Sequence, residues 1–192
     1  MITSLQEIFY LLILTGAIGF IFTGFIKKPR DGYELIYKRN GFDWEDFKFA
    51  VLVTAPAVVL HELAHKFAAI AFGLTATFKI FWGGLGLAFF LKLIHSPFLI
   101  IAPGYVEISG TSLYTSTGAI IAFAGPAINL ILLITAHSIL TRAKHLTKTQ
   151  AVALYLTKQI NILLFIFNML PIPPLDGSKV FFGLYKTISA FF

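Results

Sequence analysis

Four long apolar runs, each close to or above 20 residues and nearly free of charge, decide what this chain can fold into: Leu5 to Ile26, Phe49 to about Gly73, roughly Tyr114 to Leu140, and about Ala151 to Leu170. A helix that crosses the hydrocarbon core of a bilayer needs about 20 predominantly apolar residues. Composition agrees, since 57% of the chain is hydrophobic and only 12% is Asp, Glu, Lys or Arg, about half the charged share of a soluble domain. The reading is an α-helical integral membrane protein, a multi-pass bundle of about four to six transmembrane helices. Its 192 residues leave no room for a separate soluble domain, so residues 1–192 are read as a single membrane-embedded domain.

The first run is followed at once by Lys27, Lys28 and Arg30, a charged stop. No basic segment precedes it and it is too long for the apolar part of a cleaved signal peptide, so it is expected to stay as a span. The basic residues cluster from Lys27 to Lys48 and from Arg142 to Lys148, a pattern suited to lipid headgroups at a cell membrane. No basic stripe interleaved with polar contacts is present, which excludes nucleic acid as a partner. Without cysteine, disulfides, thiolate ligands and a cysteine nucleophile are excluded as well. Any metal must be held by imidazole and oxygen.

Between the second and third runs the pattern changes. Thr75, Thr77 and Lys79 alternate with apolar residues, and Gly83, Gly84 and Gly86 interrupt the apolar stretch after them. This predicts a short strand-like or re-entrant segment around 74–110. Leu87 to Ile101 is a further candidate span, with Lys92, His95 and Pro97 against it, and Asp176 to Phe192 is another at the lower length limit. Pro56 is expected to kink the second span and Gly125-Pro126 to break the third. The small residues from Gly118 to Ala127 let a neighbouring helix approach closely.

Past Lys48 the chain holds three acidic residues, Glu62, Glu107 and Asp176. Glu62 lies within His61-Glu62-Leu63-Ala64-His65, inside the second run. A carboxylate at such depth is costly unless it has a partner, which makes it a functional candidate. On a helix the two histidines, four apart, share a face and can converge on one ion, while Glu62 projects beside a metal-bound water. Zinc would bring that water's pKa to about 7, and the carboxylate could then take its proton during attack on a carbonyl. A catalytic zinc needs a third protein ligand, for which His95, His137, His145, Glu107 and Asp176 are the downstream candidates. Asp176 follows the rigid Pro171-Ile172-Pro173-Pro174 turn, which would fix its direction. Equally, it suits the N-cap of a last helix, and spacing does not separate the two. The three histidines read as loop or span-end residues, Glu107 as an interfacial residue, and Lys66 and Lys79 as side chains snorkelling to the interface.

Three segments together resemble the motifs of the site-2 protease family, the intramembrane zinc metalloproteases: His-Glu-Leu-Ala-His at 61–65, Gly-Pro-Ala-Ile-Asn at 125–129, and Asn-Met-Leu-Pro-Ile-Pro-Pro-Leu-Asp-Gly at 168–177. The resemblance covers about 49–180, the family's catalytic core. It implies one Zn2+ ion bound by His61, His65 and Asp176, with Glu62 as general base. By the same resemblance, Asn168 and Asn129 would hold the substrate backbone or the developing oxyanion by amide donors. Interhelical hydrogen bonding is the other use of asparagine in a bilayer. The implied substrate is a membrane-spanning or membrane-tethered protein, cut in the bilayer as in regulated intramembrane proteolysis. Such a substrate must unwind and could pair with a strand edge in residues 74–92.

A second class of function, a divalent-metal transporter or non-proteolytic metal-binding membrane protein, would use the same ligands, since transporters also place ion sites at the midplane. A prenyl-protein processing metalloprotease shares the His-Glu-x-x-His pattern but not Leu175-Asp176-Gly177. Counting basic residues puts the 27–48 and 141–149 loops in the cytoplasm if residues 74–113 make no net crossing. The resemblance implies instead that the strand region faces the cytoplasm.

Overall fold

A computed structural model describes residues 3–30, 41–96, 103–110 and 115–190. In these, six helices and two strands follow in the order α1 (Leu5–Phe22), α2 (Trp44–Ala71), β1 (Thr75–Ile80), α3 (Trp82–Leu93), β2 (Gly104–Ser109), α4 (Ser116–Arg142), α5 (Lys148–Asn168) and α6 (Asp176–Ser189). Four helices, α1, α2, α4 and α5, are long and apolar enough to cross a membrane. Their outward faces carry exposed Leu5, Phe9, Leu12, Leu163, Ile166 and Phe167, side chains that only a lipid surround makes inexpensive.

Local chemistry sets the ends of these helices. Ser4 caps α1 in a capping box with Glu7, and Thr147 caps α5 in another with Gln150. Each box satisfies two backbone donors that the first turn would otherwise leave open. Asp43 caps α2, its carboxylate accepting from Glu45 and Asp46 N–H groups. This starts the helix five residues before the apolar run, because capping and not hydropathy decides where a helix begins. Arg30 pairs with Asp43 at 2.7 Å and Asp46 at 3.1 Å, and Lys28 with Glu45 at 3.0 Å, so the residues that follow α1 lie against the start of α2.

Neither internal proline interrupts its helix: α2 continues through Pro56, and α4 through Gly125-Pro126. The expected break at 125 is therefore absent. The segment around 74–110 does form strands, β1 pairing antiparallel with β2 from Thr75↔Ser109 to Ile80↔Gly104. Between them Gly83, Gly84 and Gly86 lie inside α3, not in a turn, and α3 ends at Leu93. At 12 residues it is about 18 Å long, too short to cross, so no span occupies 87–96; residues 97–101 of that candidate lie outside the described residues. The 14-residue α6 is likewise only about 21 Å long.

Contacts between helices give their directions. Gly19 of α1 packs against Phe47 and Val51 near the start of α2, whereas Glu7 meets Lys66 near its end. α2 and α4 run antiparallel too, since His61 pairs with Asn129 and His65 with Ile121. The end of α2 and the start of α4 therefore share one side of the bundle, and the intervening sheet and α3 make no net crossing. The described residues of both basic clusters lie on the opposite side, where Lys148 Nζ donates to the Arg30 carbonyl at 3.2 Å.

The apolar core has two centres. Leu14, Ile18 and Ile21 of α1 pack with Phe78, Ile80, Leu85 and Ala88 of the sheet and α3, and Ile26, Phe49, Ala50 and Val53 are covered by Val152, Ala153, Leu156 and Ile160 of α5. α2 thus stands at the centre of the bundle. That places His61, about 15 Å from its C-terminal end, where α4 and α6 meet it.

Candidate metal centre

His61, His65 and Asp176 come together as one buried cluster. His61 Nε2 lies 3.2 Å and His65 Nε2 3.1 Å from Asp176 Oδ2, and the two Nε2 atoms are 3.1 Å apart. Asp176 reaches this place because it is the first residue of α6 and not its cap: the N-cap is Leu175, which offers no side-chain bond. The N-cap alternative is thereby removed. Lys179, one turn on, binds the other oxygen, Oδ1, at 3.2 Å, leaving Oδ2 aimed at the histidines. Gly177 lets the turn close, since a methyl there would stand 2.5 Å from the Leu170 carbonyl oxygen.

The outer nitrogen of each ring is held by a group that only accepts. His65 Nδ1 lies 2.8 Å from the Ile121 carbonyl. His61 Nδ1 lies 2.6 Å from Asn129 Oδ1, and the Asn129 amide group is oriented by its own donation to the Ala57 carbonyl at 2.9 Å. Both Nδ1 atoms therefore carry a ring proton, and in the neutral imidazole, the form that binds a metal, each Nε2 presents its lone pair to the cluster. With Asp176 Oδ2 they bring three ligand atoms to one point, in the mutual reach that a single metal ion needs. Their spacing fits, because ligands about 2 Å from a tetrahedral zinc stand about 3.3 Å from one another.

Gly125 forms the floor of the cluster. A methyl group there would stand 2.6 Å from His61 Nε2 and nearer still to His65 Nε2. The small-residue pattern of this span signalled a close helix approach, but what approaches is a pair of imidazoles. Glu62 is half-buried on the next position of α2 and within electrostatic range of His65, His61, Asp176 and Lys179.

The remaining expected residues fall elsewhere. Asn168 ends α5, half-buried, and no contact with the cluster involves it among the described residues. Asn129 is fully buried, and its amide hydrogens go to the Ala57 carbonyl and to Asn161 Oδ1, the latter at 2.8 Å. These are the interhelical hydrogen bonds that were the other expected use of this asparagine. His95, His137 and His145 are exposed and outside the cluster. Glu107 pairs across the sheet with Lys79 at 2.6 Å. Lys66 does not snorkel: it is 1% exposed and paired with Glu7 of α1. Sequence reading passed over Glu7, Asn161 and Lys179, and of these only Lys179 carried a signal, its i+3 spacing from Asp176.

Four membrane-length apolar helices, with a buried His, His and carboxylate cluster between α2, α4 and α6 and a glutamate beside it, fit a membrane-embedded metalloprotease. Sequence comparison names the kind. A model of peptidase family M50 matches residues 140–191, the part that carries Asp176. A protein of Methanocaldococcus jannaschii provisionally named zinc metalloprotease MJ0611 is 32% identical over 145 residues, 76% of this chain and 75% of that protein. One of Bacillus subtilis, provisionally named zinc metalloprotease YwhC, is 30% identical over 151 residues, 69% of this chain and 67% of its own length. No solved structure matches significantly. The chain belongs to peptidase family M50, the site-2 protease family.

Proposed function

We propose that the protein is an intramembrane zinc metalloendopeptidase that binds one Zn2+ ion through His61, His65 and Asp176 and hydrolyses peptide bonds of membrane-spanning or membrane-tethered proteins, as a multi-pass protein of the cell membrane. The observation that carries this reading is the convergence of two buried imidazole nitrogens and one carboxylate oxygen at about 3 Å from one another, beside Glu62. Zinc held there would polarise a substrate carbonyl and acidify water.

The chain's own residues would do the rest. Glu62 takes the proton from the attacking water and hands it to the departing amine, a transfer worth about 10²–10⁴-fold. Lys179 keeps the Asp176 carboxylate in place by its bond to Oδ1. Asn168, whose side chain has no partner among the described residues, remains available to donate to the substrate backbone or oxyanion.

A transmembrane substrate must expose its backbone before attack, and an extended segment can add to a sheet. The β1 edge anticipated for this is occupied at its middle, where Phe78 N–H donates to Glu7 Oε1 at 2.7 Å. β2 has no strand on its far side among the described residues, so pairing is expected along 104–109.

The test is Glu62→Gln in the detergent-solubilised chain, with a model membrane substrate and zinc content read together. Cleavage should be lost while zinc stays bound; full activity in this variant would sink the mechanism. Asp176→Asn should lose zinc as well as activity, and metal uptake by reconstituted vesicles without any cleavage would turn the reading into that of a transporter.

A further inference from the structure

We infer that Asn161 of α5 is a positioning residue for His61, acting through Asn129, so that a helix contributing no ligand helps to set the geometry of the zinc site. The inference rests on the zinc reading proposed for the cluster. Three helices take part: His61 on α2, Asn129 on α4 and Asn161 on α5. Asn129 and Asn161 are each 0% exposed, too deep to meet a substrate or solvent.

The direction of every bond comes from the backbone. Asn161 Nδ2 donates to the Thr157 carbonyl at 2.8 Å, and a carbonyl can only accept, so Oδ1 is the atom turned toward Asn129. Asn129 Nδ2 then donates to it at 2.8 Å and to the Ala57 carbonyl at 2.9 Å, which leaves Asn129 Oδ1 facing His61 Nδ1 at 2.6 Å. The amide orientations, ordinarily an ambiguous assignment, are settled by two carbonyls on two helices. At the end of this chain of bonds the His61 ring carries its proton on Nδ1 and presents Nε2 to the cluster.

His65 gets the same tautomer by one bond to a backbone carbonyl, Ile121. No backbone carbonyl takes that place for His61; its partner is a side chain, which has torsional freedom of its own. Asn161 removes that freedom. Without it, Asn129 keeps one anchor at Ala57 and its plane can turn, carrying the His61 ring with it. Partners of this kind on a ligating histidine are worth about 10–100-fold in metal affinity.

The experiment uses the full chain in detergent and the zinc ion alone, with affinity measured by competition against a chelator of known strength. Asn161→Leu should weaken zinc about tenfold, the lower end of that range, with helical content unchanged. Asn161→Asp should bind within about threefold of the unmodified chain, because a neutral aspartic acid donates to Thr157 and accepts from Asn129 just as the amide does. A role in packing alone predicts the reverse order, a buried acid being worse tolerated than leucine. Should Asn161→Leu not fold, Asn161→Ala is read in its place, with the same loss expected. Unchanged zinc affinity in the leucine or alanine variant, or a loss in Asn161→Asp as large as theirs, overturns the inference. Absence of zinc binding in the unmodified chain, matched by His61→Ala, would defeat the zinc reading itself and is told apart by that control.

Discussion

Two buried polar clusters lie side by side along α2, meeting at the neighbours His65 and Lys66, and they are built on opposite principles. At one, Glu7 accepts from Lys66 Nζ, from Phe78 N–H at 2.7 Å and from Ser4 N–H at 2.9 Å. Charge is matched, every bond has a donor and an acceptor, and α1, α2 and β1 are joined. At the other, His61, His65 and Asp176 bring three metal-ligating atoms together, with Lys179 bound only to the carboxylate oxygen that points away from the histidines. Burial of charge in an apolar bundle thus has two meanings. A cluster closed within the protein holds the fold, and one whose ligand atoms converge on a common point is where the proposed chemistry belongs.

At the open cluster the expected loss is in metal binding. Gly125→Ala pushes a methyl against both Nε2 atoms, and zinc affinity should fall by about 10–100-fold, the scale on which misdirected ligands lose metal. Chelator competition would show it, and an unaltered affinity would mean that the imidazoles do not sit where the structure has them. The α2–α4 packing should meanwhile survive, since the displaced atoms belong to the site.

At the closed cluster the expected loss lies in stability instead. Lys66→Met strands the Glu7 carboxylate in a dry interior and should cost about 3–5 kcal/mol, as for one partner removed from a buried ion pair. Thermal unfolding in micelles reads this, and zinc bound per folded molecule should not change. The double variant Glu7→Gln with Lys66→Met should recover most of the loss, because no uncompensated charge remains. If the double variant were as unstable as Lys66→Met, the cluster would not be a matched pair.

The smallest effect is expected at the loop side of α2, where charge is partly hydrated. Asp43→Ala removes a helix cap, with a cost of about 1 kcal/mol. Backbone N–H groups of Asp46 and Glu45, together with Arg30, hold the Asp43 carboxyl below its ordinary value despite partial burial. A lowered folded-state pKa means that this contribution is complete above the ordinary carboxylate value, about 4, and is lost as pH falls through the lower folded one. Melting temperatures from pH 5 down to 2 should show the difference between the unmodified chain and Asp43→Ala shrinking with acid.

Much of the architecture was legible because the bilayer imposes a length. The four spans appear where the apolar runs place them, and the broken pattern at 75–80 became β1. What misled was local: Gly83, Gly84 and Gly86 looked like interruptions yet lie within α3, and Gly125-Pro126 looked like a break yet lies within α4. Both cases have one cause. In a helix packed by its neighbours, tertiary contact outweighs the modest cost of glycine, and it lets a proline pass.

The chain by itself determined that this is a membrane bundle with two histidines on one helix face, because spacing along a helix and the cost of charge in lipid are local properties. Spacing left five candidates for a third ligand and the motif resemblance pointed to Asp176, but only the tertiary structure brings that residue, 115 positions from His61, against the two histidines. It also decided that Asn129 faces His61 and that Lys66 is buried. Those outcomes depend on which polar groups meet across helices. Periodicity shows which face of a helix is apolar, but hydrogen bonding between spans is settled only when their atoms come within reach.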